Sequence, residues 1–144
     1  MATPFADIYS RAIFRFADYK FLEQDIDTRE AVLEQYLFSA KTEFQKVCKV
    51  DLSHYDRELQ QFDVDLGDEE IEILSLGIAY YWLSARTLNS ENLKNRLNSK
   101  DYYYYSPANL LKEIQTLRKT VRDEFYSRMR QYSYLDNSIG TLKN

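Results

Sequence analysis

Apolar side chains recur at helical spacing along most of the chain. In residues 4–17, Ile8, Ala12 and Phe16 stand four apart with Ile13 beside them, and Thr3 before Pro4 reads as an N-cap followed by proline at the first helical position. In residues 28–47, Ala31, Val32, Tyr36, Ala40, Phe44 and Val47 share a face that Leu33, Leu37 and Phe38 widen. Asp27 with Glu30 three residues later resembles a capping box ahead of that helix. Residues 68–89 break the amphipathic pattern. From Ile73 to Ala85 there is no charge, and Leu74, Ile78, Tyr81 and Trp82 belong to a run with almost no polar face. A helix apolar nearly all round is normally buried, with other elements packed on several sides. The run is too short for a bilayer, which needs about 20 residues.

The segments between these helices are polar. Residues 48–66 read as a long connection in which 55–62 (YDRELQQF) has a weak pattern for two helical turns. Gly67 is placed to cap the central helix, with Glu70 at the third helical position and Leu66 and Ile71 as a hydrophobic staple. Residues 90–98 suggest a short polar helix. Residues 99–105 end in Tyr102, Tyr103, Tyr104 and Tyr105 and read as extended. Ser106 and Pro107 then open the longest helix, residues 107–132, whose apolar face is Leu110, Ile114, Leu117, Val121, Phe125 and Met129. Periodicity fades from residue 133 and Gly140 weakens it further, so 133–144 reads as a flexible tail. The expectation is an all-α fold: one helical domain over residues 1–132, a small bundle around a buried central helix at 68–89, and a tail.

Composition narrows this picture. Three Gly and two Pro leave little for hairpins or phosphate-binding loops, and a charged fraction of 29 % argues against wholesale disorder. Thirteen Tyr and eight Phe are a heavy aromatic load, of the kind that borders cores and fills contacts between chains. The net charge of −4 hides a split: residues 1–72 carry −9 and residues 73–144 carry +5. Such a split favours head-to-tail contact between copies. No basic region followed by an apolar run opens the sequence, so no signal peptide is expected.

Candidate chemistry is sparse. Cys48 is the only cysteine and His54 the only histidine; they lie six apart without an orienting motif, a weak basis for a Cys–His nucleophile. The acids Asp63, Asp65, Asp68, Glu69 and Glu70 do not match a calcium loop, because Gly67 comes one place too early and the fifth position carries no donor side chain. They suit the start of a helix, where negative charge is favoured. No phosphate loop, nucleophile elbow or zinc spacing is present, so no catalytic residue, cofactor or metal is expected, and no enzyme. The last helix, with Lys112, Arg118, Lys119, Arg122, Arg128 and Arg130 off its apolar face, offers an alternative: a DNA-binding regulator or packaging factor. Glu113, Asp123 and Glu124 interrupt that face, and the low pI of about 5.1 opposes tight duplex binding.

Three stretches carry a resemblance: ADIYSRAIFRFAD at 6–18, FDVDLGDEEIEILSLGIAYYWL at 62–83 with Gly77 and Trp82, and YYSPANLLKEIQTLRKTVRDEFYSRMRQYSY at 104–134. In that order they resemble the neck proteins of long-tailed bacteriophages, the head–tail connectors, adaptors or head-completion proteins. The resemblance covers about half the chain; residues 135–144 depart from the family pattern. It implies a structural virion protein at the capsid–tail junction, made in the host cytoplasm. The implied assembly is a homo-oligomeric ring, usually of twelve, below the portal. The ring extends the DNA channel, and DNA passes through its lumen without sequence-specific binding. The implied partners are the portal protein and a further neck or tail-completion protein, with no membrane. On this basis Tyr132, Tyr134, Leu135, Ile139 and Leu142 are expected to dock on the portal. Subunit contacts are expected from Asp63, Asp65, Asp68, Tyr102 to Tyr105, Arg118, Arg122, Arg128 and Arg130.

Overall fold

The computed structural model describes the backbone of residues 2–16, 26–96 and 107–143, and side chains over 2–15, 27–87 and 112–134. The fold is mainly α. In chain order the described elements are β1 (Thr3–Pro4), α1 (Phe5–Phe16), α2 (Ile26–Phe44), β2 (Tyr55–Asp56), β3 (Gln61–Phe62), α3 (Asp68–Arg96) and α4 (Pro107–Lys143). The expected extended segment at Tyr102 to Tyr105 lies outside the described residues.

The run from Ile73 to Leu83 gives α3 its place at the centre. Ile73, Leu74, Leu76 and Ile78 are fully buried, Trp82 nearly so, and Tyr81 half-buried. α3 packs against α1, α2 and α4. α3 and α4 run antiparallel: Glu70 meets Tyr132 near one end of the contact, and Ser84 meets Arg118 further along. Its N-terminus is built as the spacing predicts. The Gly67 N–H donates to Glu70 Oε1 at 2.9 Å, the Ile71 N–H donates to the Gly67 carbonyl at 3.0 Å, and Leu66 and Ile71 are both buried.

At Gly77 the helices approach too closely for a side chain. A Cβ there would lie 2.4 Å from the Ala40 Cβ and 3.1 Å from the Phe125 ring. Gly77→Ala is therefore expected to be destabilising on balance: overpacking costs about 1–3 kcal/mol, against roughly 1 kcal/mol gained in helix propensity. Ala40→Gly alone also costs about 1 kcal/mol, yet it should raise stability when Gly77→Ala is already present. Urea unfolding of the four variants checks this; strictly additive effects would mean that the two positions do not meet.

Several expectations are corrected. α1 starts at Phe5, and Thr3 and Pro4 instead form an edge strand, with Thr3 opposite Phe62 and Pro4 opposite Gln61. The Thr3 hydroxyl donates to the Val64 carbonyl and accepts from the Leu66 N–H, both at 2.8 Å, so it serves a distant loop rather than its own helix. Residues 55–62 are a hairpin, not two helical turns, and the sheet order is β1-β3-β2. The turn is closed without glycine: Asp56 Oδ1 accepts from the Glu58 and Leu59 amides at 2.9 and 3.1 Å, and Gln60 takes a left-handed φ of 53°. On α2 the buried line is Leu33, Leu37, Ala40 and Phe44, while Ala31 is exposed; the larger leucines gain more from burial.

The central helix does not stop at residue 89. It continues to Arg96 through the segment expected to be a separate short helix, since no Pro or Gly separates them. Likewise α4 continues past Tyr132 to Lys143, where a flexible tail was expected. No proline interrupts residues 133–143, and Gly140 costs a helix only about 1 kcal/mol.

Candidate interaction surface

The acidic stretch divides between surface and scaffold. Asp63 and Asp65 are exposed. Asp68 pairs with Arg11 at 3.3 Å, Glu69 with Arg128 at 3.4 Å, and Glu72 with Arg11 and Arg15. Of these pairs only Glu69–Arg128 joins the acidic half of the sequence to the basic half, so a small part of the charge split is met inside one protomer. Among the described residues, no group of three or more His, Cys, Asp or Glu could hold a metal ion.

Glu70 is the junction of this region. Its Oε1 caps α3, while its Oε2 accepts from the Tyr132 hydroxyl at 2.7 Å and lies 3.8 Å from Cys48 Sγ. The Tyr132 oxygen also accepts from the Lys49 N–H at 3.2 Å, and its ring stacks edge-on against Phe44. Burial, reinforced by the bond to Glu70, pushes the Tyr132 phenol well above its ordinary range. At 9 % exposure, Tyr132 ties α4 to α2 and α3 and offers little surface to a partner. Tyr134 points outward at 69 % exposure; the side chains of Leu135, Ile139 and Leu142 lie outside the described residues, though their backbone is helical.

Cys48 and His54 take separate partners. Burial raises the Cys48 thiol above its usual pKa, which disfavours the thiolate a nucleophile needs. His54 is exposed and pairs with Asp51 at 3.3 Å.

The basic residues of α4 divide too. Arg118 donates to Ser84 Oγ at 2.9 Å and to the Tyr80 hydroxyl at 3.3 Å, and sits over the Tyr80 ring. Arg128 is held by Glu69 and Glu124. Arg122 lies over Tyr126, with Asp123 3.8 Å away. Lys112, Lys119 and Arg130 are exposed, and no ion pair reaches them among the described residues. The helix therefore keeps an outward basic face after its inner arginines are used for packing.

Two surface features had not been singled out from sequence. One is a groove of about 440 Å³ between the end of α2 and α4, floored by Val47, Tyr126 and Met129 and edged by Lys46, Arg130 and Tyr134. The other is Leu59, which stands 65 % exposed at the hairpin tip. A lone leucine amid Arg57, Glu58, Gln60 and Gln61 was the available signal for it. Among the described residues, no helix is long and apolar enough to cross a membrane. Comparison with protein-family models, with curated proteins and with solved structures gives no match.

Proposed function

We propose that this chain is a structural adaptor of the head–tail connector type. It assembles as a ring, of twelve by the resemblance, below a portal, where it extends the DNA channel and joins capsid to tail. In this reading the bundle around α3 is the rigid body of each subunit, and the Tyr-rich segment with Tyr102 to Tyr105 lies at a subunit contact.

The observation that carries the proposal is the length of α4. At ~1.5 Å per residue its 37 residues measure about 56 Å. Its buried side chains, among those described, run only from Val121 to Tyr132. A helix of this length suits contact with other molecules as well as with its own core. The remaining surface charge fits as well: exposed Asp63 and Asp65 in the connection between β3 and α3, exposed Lys112, Lys119, Arg122 and Arg130 on α4. A lumen lined by the acids would let DNA slide, whereas phosphate-binding residues would hold it.

Electron microscopy of the assembled protein or of virions tests this directly. A ring at the capsid–tail junction is expected, and its absence there would overturn the proposal. Removal of residues 135–144 is expected to weaken co-purification with the portal; equal recovery would exclude that segment from docking. The exposed Lys112, Lys119, Arg122 and Arg130 favour a second reading, a DNA-binding factor. It requires salt-dependent retardation of duplex DNA, and no retardation at low salt removes it.

A further inference from the structure

We propose that the β2–β3 hairpin tip of one copy seats Leu59 in the α2–α4 groove of a neighbouring copy. This contact rests on the ring reading above and supplies its subunit interface.

The tip is built to hold an apolar side chain outward. Asp56 fixes the Glu58 and Leu59 amides, the Gln60 side-chain amide donates to the Arg57 carbonyl at 2.7 Å, and the Gln60 carbonyl accepts from the Phe5 amide at 2.8 Å. Gln60 occupies a left-handed conformation that a non-glycine residue adopts only where its surroundings enforce it. This order is set in the free protomer, so little conformational entropy remains to be lost on docking.

The charges are complementary. At the tip, Arg57 is turned back onto Glu34 at 2.9 Å and lies over Phe38, which leaves Glu58 as the outward charge. In the groove, Glu43 is taken by Lys46 at 3.1 Å and lies 3.5 Å from the Tyr126 hydroxyl, which leaves Arg130 as the charge without an ion pair among the described residues. Leu59 over Val47 and Met129, with Glu58 beside Arg130, matches an apolar knob to an apolar hole and an anion to a cation.

Placement supports a head-to-tail arrangement. The hairpin meets α2 through Glu34, Phe38 and Lys41; the groove uses Glu43, Lys46 and Val47. α2 ends at Phe44, and at about 100° per residue its groove residue Glu43 lies roughly opposite Glu34, Phe38 and Lys41. A contact between two different patches is heterologous, and when repeated head to tail it generates a ring or an open filament.

The test needs no other protein: light scattering and native mass spectrometry of the full chain up to about millimolar concentration, the range where weak contacts register. Leu59→Ser should weaken self-association about tenfold or more with an unchanged melting temperature, because the residue is exposed. Glu58→Arg and Arg130→Glu should each weaken it, and the two together should restore it. Wild-type assembly with Leu59→Ser assembling equally well, or with no restoration by the charge exchange, would overturn this contact and leave the ring standing. A wild-type chain that stays monomeric throughout would overturn the contact, while the ring below the portal stands or falls on the microscopy.

Discussion

Phe125→Ala is expected to lower stability by about 3–5 kcal/mol, the usual cost of emptying a large aromatic site in a core. The ring is fully buried and packs beside Tyr80 and Tyr126, with centroids at 6.3 and 5.3 Å. It also closes the space over Gly77, where α2, α3 and α4 come together. The cavity would have walls from three helices, and each is held elsewhere by its own contacts, so collapse to refill it is limited. At roughly 2–4 °C per kcal/mol for a domain of this size, the melting temperature should fall by about 6–20 °C. Phe14→Ala is the matched control. Phe14 is 87 % exposed, and its loss should change stability by less than about 0.5 kcal/mol. Equal thermal stability of the two variants would mean that α4 does not pack on α3 as described.

Glu70→Ala should be the most damaging change among the surface acids, at about 2–4 kcal/mol. It removes the side chain that caps α3 and leaves the half-enclosed Tyr132 hydroxyl without its acceptor. Glu70→Gln retains an acceptor and should cost less. Adding Tyr132→Phe to Glu70→Ala should recover part of the loss, because the unsatisfied hydroxyl goes with it. Urea unfolding of the single and double variants measures the coupling. If Tyr132→Phe is equally costly with and without Glu70, the two residues are not coupled. By contrast, neutralising Asp63 or Asp65, both exposed, should leave stability nearly unchanged.

The strongest sequence signals were those that need only local physics. The uncharged run from Ile73 marked a buried helix because no exposed helix tolerates it, and Gly67, Glu70, Leu66 and Ile71 marked its start through spacing alone. Signals that depend on distant partners failed. Thr3 before Pro4 has the local form of a cap, but its hydroxyl is drawn to Val64 and Leu66, some sixty residues away. The 55–62 hairpin lacks the glycine or asparagine that usually marks a turn, since Asp56 and a left-handed Gln60 do that work. Helix ends at residues 89 and 132 were set by fading periodicity. Periodicity reports burial rather than helix formation, so its fading does not mark a helix end. The candidate interaction surface was legible in part. The outward acids and lysines could be anticipated, but the division of arginines into packed and free ones depends on which tyrosines and carboxylates the fold delivers to them.

The Thr3 hydroxyl also bears on the order in which the chain comes together. The hairpin closes over a few residues, and the start of α3 is stabilised by its own cap; both can form early and locally. β1 must instead cross a loop of about sixty residues before any bond rewards it, and such closure is entropically late. The amides of Phe5 and Leu66, which donate to Gln60 and to Thr3, become protected only when that closure is made. They are therefore reporters of α1 docking. In native-state hydrogen exchange they should open together, and before the amides in the middle of α3.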